Sequence, residues 1–440
     1  MSCYFKTNGS FEANYNVLNK TALTIIAISA TILLSTMVPI YSTDAQAIHS
    51  ANISISDWLN SNFGQLDLKA NSSSKSYAVQ IMMACQVESN DNSCPVMSLN
   101  HLDRIVDRQL VLATFLDLIL LYDNNNYSCH HEGHSLGMWL YTYTASLDDA
   151  LKYSTIHCSG SIYHGVFQSY FEDERIIHNL NKNQITIKDL CPVGQENVNW
   201  LHERDCIHAI GHGLTKLYKY NTTAAVDRCN DFVPTWAQSA CSRGVFMENT
   251  EYFIETGHGD FDTNDIYSPC DRTIEKFTSQ CYYYYPTYDL VRTDLHLSHN
   301  LTDAFAKCDN ISPVKFSKYC YQGIDRLLET IAYTNAELSI AACYLGNQTK
   351  YHNDCLLGTL KTILKGEPNP DLGFEYCSKS KVHFKAFCYE VVGMWIKAFF
   401  QIGKVELESE CAKALEVNYV LNCMKANQTT GLDVLLFEPL

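Results

Sequence analysis

Apolar residues recur at helical spacing through most of the chain, and short polar stretches separate the apolar segments. The segments LTDAFAKC (301–308) and CYQGIDRLLETIAY (320–333) show this clearly, because their apolar positions fall three and four residues apart. CLLGTLKTILKG (355–366) and VELESECAKAL (405–415) repeat the pattern further along. We therefore predict an all-α chain built from pairs of helices.

Cysteines divide this helical pattern into units. From residue 191 onward they form seven couples, whose members stand 11 or 12 residues apart except in the first. Successive couples are offset by 33 to 41 residues, a period typical of helical-hairpin solenoids. The couples are Cys191 with Cys206, Cys229 with Cys241, Cys270 with Cys281, Cys308 with Cys320, Cys343 with Cys355, Cys377 with Cys388, and Cys411 with Cys423. We expect a right-handed solenoid of about seven hairpins, each with a disulfide between its two helices.

Period, helix pairing and cysteine coupling between about Cys191 and Asn427 resemble the Sel1-like and tetratricopeptide solenoids. The resemblance is strongest to the disulfide-linked, secreted Sel1-like repeat proteins. It implies an all-α repeat fold whose concave face binds a protein or peptide. Glycine stands three residues after the second cysteine in several units (Gly244, Gly323 and Gly358), where a missing side chain would let two helices approach closely.

The N-terminal region predicts export. Residues 21–41 carry no charge and follow Lys20, which fits either an uncleaved membrane anchor with residues 1–20 in the cytoplasm or a signal peptide cleaved near Ala47. Only Cys3 precedes this segment, so eighteen cysteines lie outside in an oxidising compartment. Glycosylation sequons also follow it, at Asn52, Asn71, Asn126, Asn221, Asn300, Asn310, Asn347 and Asn427.

The remaining boundaries follow from composition. Residues 48–126 are less regular and are expected to form a polar linker and an irregular helical cap, with Cys85 and Cys94 closing a local loop. Residues 127–430 are expected to form the Cys/His-rich repeat domain, in which Cys129 and Cys158 are the leftover couple. The sequence leaves the connectivity of Cys85, Cys94, Cys129 and Cys158 open. The net charge of -16 argues against a nucleic-acid partner, since phosphate binding requires clustered Lys and Arg.

A histidine five or six residues after the second cysteine occurs in the first three units of the repeat domain and in no later unit. CHHEGHSLG begins at Cys129 and CIHAIGHGL at Cys206, so two His-x-x-x-His pairs occur, His130 with His134 and His208 with His212. His164 stands six residues after Cys158, the same offset that His212 has from Cys206. Residues four apart on a helix share one face, and stacked hairpins superpose equivalent faces. We therefore predict that these five imidazoles converge on one metal site.

The ligand chemistry narrows the choice of ion. Five imidazoles with one or two carboxylates suit zinc, copper, iron or nickel and disfavour calcium or magnesium. Glu248, close to the equivalent offset in the next unit, and Glu132, within the first motif, are the candidate carboxylate ligands or general bases. Each histidine alone would more simply be a hydrogen-bonded core residue; their shared offsets favour a site.

Two functions remain open from the sequence. The first is a membrane-anchored extracytoplasmic metalloprotein, acting as a metal-dependent hydrolase or oxidoreductase. The second is a scaffold that binds a protein or peptide on the concave face of the solenoid. The five histidines at shared offsets are confined to one end of the repeat domain, which favours the metalloprotein. The segment CYYYYPTYDL from Cys281 could line a sugar or peptide groove, but a packed aromatic layer is the simpler interpretation.

Overall fold

The computed structural model describes residues 73–87, 93–124, 129–181, 186–191, 200–233, 235–262, 265–292, 301–366, 370–400 and 404–427. Every regular element in these ranges is a helix, so the all-α prediction is confirmed. The apolar segment at 21–41 and the cleavage sequence near Ala47 lie outside the described residues. Within the described ranges, no helix combines the length and the apolar character that crossing a bilayer requires.

Contacts divide the chain into two compact units, with the boundary between Leu118 and Ile119. In the N-terminal unit, helices α1 (Ser74–Val87) and α2 (Cys94–Leu102) are joined by the disulfide between Cys85 and Cys94. Helix α3 (Arg108–Asn124) contains the apolar run LVLATFLDLILLY and continues into the second unit. The segment expected as a cap is therefore helical where it is described.

The second unit continues with α4 (His130–Thr144), α5 (Leu147–Tyr153), α6 (Ser161–Glu172), α7 (Glu174–Asn181), α8 (Trp200–Leu217), α9 (Thr222–Arg228), α10 (Thr235–Thr256), α11 (Thr278–Arg292), α12 (Leu301–Asp309), α13 (Ser317–Gly323), α14 (Asp325–Thr334), α15 (Ala336–Cys343), α16 (His352–Gly366), α17 (Pro370–Lys379), α18 (Val382–Phe400), α19 (Lys404–Cys411) and α20 (Val417–Met424). A subset packs one against the next in chain order, and we call these the inner helices: α4, α6, α8, α10, α11, α13, α16, α18 and α20. They form the continuous spine expected of a helical-repeat domain.

All nine cysteine couples form disulfides, with Cα–Cα separations between 5.1 and 5.9 Å. In most units from Cys191 onward, the bridge ties an inner helix to the helix before it. Two units differ from the expected hairpin, because the first cysteine follows only a short turn. Cys191 comes just after the 3-10 turn Ile187–Asp189 and just before a proline, and Cys270 follows Pro269. Proline disfavours helix at the preceding residue and cannot donate a helical hydrogen bond, which accounts for both departures.

The inner helices meet backbone to backbone at glycine. A Cβ placed on Gly244 would lie 1.9 Å from the carbonyl oxygen of His208, and one on Gly323 would lie 1.8 Å from that of Tyr283. Gly358 makes the same approach to the Gln322 carbonyl, at 2.1 Å. The close approach predicted from the glycine positions is therefore present, because no other residue type would fit these contacts.

The winding of the spine also brings distant units into contact. The Ser159 hydroxyl donates to the carbonyl oxygen of Lys365 at 3.3 Å, and α8 packs against α18 as well as against its neighbours α6 and α10. Buried polar and charged side chains lie on the inner helices and beside them, among them Arg243 of α10, Lys361 of α16 and Asp325 of α14. Asp325 accepts hydrogen bonds from Tyr283 of α11 and Thr362 of α16, so buried polar contacts also join these helices.

The tyrosine run on α11 belongs to the core. Tyr282, Tyr283, Tyr284 and Tyr285 are all buried. Tyr283 donates to the Asp325 carboxylate at 2.7 Å, and the guanidinium of Arg243 lies 4.3 Å from the centroid of its ring. The packed aromatic layer was thus the correct interpretation of this segment.

Replacing Gly244 by alanine should lower the free energy of unfolding by about 3 kcal/mol, because the new methyl group meets a fixed backbone carbonyl. Chemical denaturation of the oxidised protein measures the change. Gly373→Ala is the matched control on α17, since a Cβ there meets only the side chains of Leu364 and Val392, which can move. Equal losses in the two variants would contradict backbone contact as the limiting constraint.

Candidate metal centre

The five predicted histidines lie together on three successive inner helices. His130 and His134 are one turn apart on α4, His208 and His212 are one turn apart on α8, and His164 lies on α6 between them. The ring centroids of His134 and His164 are 4.9 Å apart, and those of His164 and His212 are 4.1 Å apart and stacked. His134 and His212, from non-adjacent helices, approach to 5.6 Å. We call these five residues the histidine cluster.

Small residues beside the histidines make this convergence possible. Gly133 precedes His134, and a Cβ placed on it would lie 1.8 Å from the Ser161 hydroxyl of α6. Gly211 precedes His212 in the same way, and a Cβ there would lie 2.1 Å from the Cys241 carbonyl of α10. Gly133 thus lets α4 come close to α6, where His164 lies, and Gly211 lets α8 come close to α10, the helix that carries Glu248 and Glu251.

Hydrogen bonds fix the orientation of three rings. The Nδ1 atom of His212 donates to the Glu248 carboxylate at 2.9 Å, and that of His208 donates to the Ala240 carbonyl at 3.1 Å. The Nδ1 atom of His134 lies 3.2 Å from the amide oxygen of Gln168. A carboxylate and a carbonyl only accept hydrogen bonds, so the proton of each neutral ring is on Nδ1. The Nε2 lone pairs therefore point into the cluster.

These lone pairs face one another at short range. Nε2 of His212 is 3.3 Å from Nε2 of His208, and Nε2 of His134 is 3.2 Å from Nε2 of His130. Burial, with nearby cationic groups, holds the pKa of His208 well below its ordinary value, which favours the neutral ring. Two neutral rings with both protons on Nδ1 repel each other across this gap unless a cation lies between them.

The surroundings of His164 also favour a cation bound among the rings. Its Nδ1 is 3.1 Å from Nε2 of His134, while its buried Nε2 has no hydrogen-bond partner within the described part of the chain. Burial and then the neighbouring histidines lower its pKa well below the ordinary value. A buried polar atom left unpaired is unfavourable by roughly 1–3 kcal/mol, so a ligand at this nitrogen would stabilise the site.

Two carboxylates on α10 border the cluster. Glu251 lies 3.7 Å from Nε2 of His130 and 3.9 Å from Nε2 of His134. Burial alone would raise the pKa of Glu251, but the facing imidazoles of His130, His134 and His212 hold that pKa well below its usual range. Glu248 accepts from His212 and also from the Gln168 amide at 2.7 Å. Glu248 therefore orients His212, whereas Glu251 faces the ring nitrogens directly.

The nitrogens and carboxylate oxygens form three overlapping groups able to hold a metal ion. They are His130, His134 and His164; His164, His208 and His212; and His134, His212 and Glu251. In each group the ligand atoms lie within 4.8 Å of one another. Glu132, on α4 with the first pair, is in none of these groups; burial raises its pKa, and a role for it in the site stays a prediction.

A further grouping, Asp123 with Cys129 and Cys158, has different chemistry. Both cysteines are in one disulfide, so they offer no thiolate. Asp123 instead accepts hydrogen bonds from His157 Nδ1 at 2.6 Å and from the Cys158 backbone at 2.8 Å. This arrangement ties α3 to the start of α6 and is structural.

Two residues of the site carried a weaker signal in the sequence. Glu251 lies one turn after Met247, the position of α10 that corresponds to His212 of α8. Gln168 likewise lies one turn after His164. Both residues stand four positions after the offset that carries histidine in other units, so extending the search by one helical turn along the same face would have identified them.

No protein-family model, no curated protein and no solved structure matches this chain. The likeness to Sel1-like repeats accordingly remains one of period, helix pairing and cysteine coupling.

Lowering the pH should destabilise the metal-free protein. The pKa values of His134, His164 and His208 are lowered mainly by burial, so below the ordinary value of 6.5 the unfolded chain binds more protons than the folded one. At one pH unit below that value, each such histidine should lower the free energy of unfolding by about 1.4 kcal/mol. Urea unfolding at about pH 7.5 and at about pH 5.5 measures how steeply the free energy of unfolding depends on pH. This slope should be smaller for His164→Leu. An unchanged slope in that variant would contradict the assignment.

Proposed function

We propose that this protein is an extracytoplasmic metalloprotein whose histidine cluster binds one or two transition-metal ions. Nine disulfides support an oxidising compartment outside the cytosol. The sequons at Asn221, Asn310 and Asn347 have exposed side chains, which suits a glycosylated surface. Attachment to the membrane through residues 21–41 is part of the same proposal.

One observation supports the metal centre above the others. Nε2 atoms of His208 and His212 face each other at 3.3 Å, while the Nδ1 atoms of both rings are held by oxygen acceptors. This is the orientation of metal-ligating histidines, whose second nitrogen normally donates to a carboxylate or a carbonyl. A proton shared between the two rings would also relieve the repulsion, and metal analysis distinguishes it from an ion.

The donor set favours zinc, copper, iron or nickel. Imidazole nitrogens with one facing carboxylate suit these ions. In the described residues every cysteine is in a disulfide, so the site has no thiolate. His164 belongs to two of the three groups, which gives room for either one ion or a pair of ions that share this residue.

The same geometry supports an enzyme. A bound ion would polarise a substrate oxygen and, in the case of zinc, lower the pKa of water, whereas copper or iron would add redox chemistry. Glu251 faces the cluster and is placed to accept a proton from a water molecule there. Glu248 holds His212 through Nδ1 and is a positioning residue. We propose a metal-dependent hydrolase, with an oxidoreductase as the alternative if the ion is copper or iron.

Purified protein should contain at least one equivalent of a transition metal, measured by elemental analysis. His212→Ala should lose most of it, because it removes a member of two groups at once. The nine disulfides should keep the variant folded, which circular dichroism checks. His131→Ala is the matched control: it changes the residue next to His130 but belongs to none of the groups, so its metal content should stay normal.

Less than about a tenth of an equivalent of metal in the unaltered protein would reject the metal centre. A shared proton would then explain the paired rings, and the scaffold function would become the better proposal. Full metal content in His212→Ala would show that the ion binds elsewhere.

Replacing Glu248 by glutamine should weaken metal binding about 10- to 100-fold, because the amide is a poorer acceptor for His212 Nδ1. Competition with a chromogenic chelator measures the affinity. Glu255→Gln on the same helix is the control, since Glu255 belongs to none of the metal-capable groups and should leave the affinity unchanged. Equal affinities in all three proteins would show that Glu248 does not orient a ligand.

A further inference from the structure

Gln168 joins the two histidine pairs of the cluster through hydrogen bonds. It lies on α6, one turn after His164, and its side chain is buried. Its amide nitrogen donates to the Glu248 carboxylate at 2.7 Å, and its amide oxygen lies 3.2 Å from Nδ1 of His134. Glu248 in turn accepts from Nδ1 of His212 at 2.9 Å. A continuous chain of hydrogen bonds therefore connects α4 to α8 by way of α6 and α10. We call Gln168 and Glu248 the bridge.

The bridge has one consistent direction of donors and acceptors. A carboxylate only accepts hydrogen bonds, so the part of the Gln168 amide that faces Glu248 is its NH2 group. The amide oxygen then faces His134 and accepts from Nδ1 of that ring. The single carboxylate of Glu248 thus sets the tautomer of His212 directly and that of His134 through Gln168. Both rings keep the lone pair of Nε2 for a ligand.

One of the three overlapping groups of metal-capable residues in the cluster contains both of these rings. It consists of His134, His212 and Glu251, and it is the one of the three that includes a carboxylate. A divalent ion held in a buried site by neutral imidazoles alone would carry uncompensated charge, which is unfavourable. Glu251 supplies a negative charge next to the ion. Electrostatics therefore favour this group over the two all-histidine groups.

We propose that the first metal ion binds to His134, His212 and Glu251, and that Gln168 is a positioning residue for this ligand set. The ion takes one histidine from each His-x-x-x-His pair instead of both from one pair. Two imidazoles and one carboxylate occur as the protein ligands of catalytic metal sites, where they leave coordination positions open for water or a substrate. The proposal rests on the proposed function, because it assigns the ligands of the same metal centre.

The test uses the purified full-length protein after removal of metal, with zinc ion as the probe and a chromogenic chelator as the competitor. Glu251→Gln should weaken binding of the first zinc equivalent at least about tenfold, because the amide carries no negative charge. Gln168→Met keeps the length of the side chain but removes both hydrogen bonds, and should weaken the same step about 10- to 100-fold. Gln238→Met is the matched control, since Gln238 is also buried but belongs to none of the groups. Its zinc affinity should be unchanged.

Exchanging the two bridge residues separates positioning of the rings from simple packing. In the double variant Gln168→Glu/Glu248→Gln, the carboxylate introduced on α6 can accept from His134 Nδ1 and from the amide nitrogen introduced on α10. The amide oxygen on α10 can still accept from His212 Nδ1, so both tautomers and the total charge are retained. The affinity for the first zinc equivalent should return to within about threefold of that of the unaltered protein. Glu248→Gln alone should remain weaker.

A double variant that is folded by circular dichroism but binds zinc no better than Glu248→Gln would overturn the role of Gln168. This comparison decides the question even if Gln168→Met does not fold. An unchanged first equivalent in Glu251→Gln would overturn the ligand assignment and favour an all-histidine group. Failure of the metal centre itself gives a different result, because the unaltered protein would then bind no zinc in the same titration.

Discussion

Close contact between the backbones of successive inner helices is the constraint on which the repeat domain depends. At Gly165 a Cβ would lie 2.0 Å from the carbonyl oxygen of His134, and at Gly244 it would lie 1.9 Å from that of His208. Helices in such contact cannot slide or rotate independently, since any shift drives atoms into a backbone. The disulfides fix the start of most inner helices against the preceding segment. Together they hold the inward-facing side chains in a defined order.

This order explains why so many polar groups can be buried. Imidazoles of α4, α6 and α8 meet each other and the carboxylates of α10, while Arg243, Tyr283 and Asp325 form the next contacts along the interior. Buried polar groups are tolerated where each has a partner. In the histidine cluster the Nδ1 atoms of His134, His208 and His212 have oxygen partners. The Nε2 atoms face each other in pairs, one pair on α4 and one on α8. The part of the interior where ring nitrogens lack an ordinary hydrogen-bond partner is therefore the part proposed to bind an ion.

One face of α8 extends from Arg204 through the histidine cluster to Lys216. Arg204 pairs with the neighbouring Asp205, His208 and His212 belong to the cluster, and Lys216 ends the row beside Glu172. Contacts of α8 with α18, and of Ser159 with Lys365, bring distant units against the first turns of this helix. Contacts between successive units alone would leave these turns without α16 and α18.

The sequence by itself determined the helices, the seven regular cysteine couples and the five histidines, because each of these is visible in the spacing of residues along the chain. The pairing of Cys85 with Cys94 and of Cys129 with Cys158 was settled by the structure. A period of 33 to 41 residues locates the units, and an offset of four residues places two imidazoles on one helix face. Gly244, Gly323 and Gly358 also indicated where helices approach. The tertiary structure alone decided that Glu251, rather than Glu132, faces the rings, and that Lys365 and Trp395 lie beside Arg204. Those contacts depend on helix rotation and on how tightly the units wind, which residue spacing along one chain does not encode.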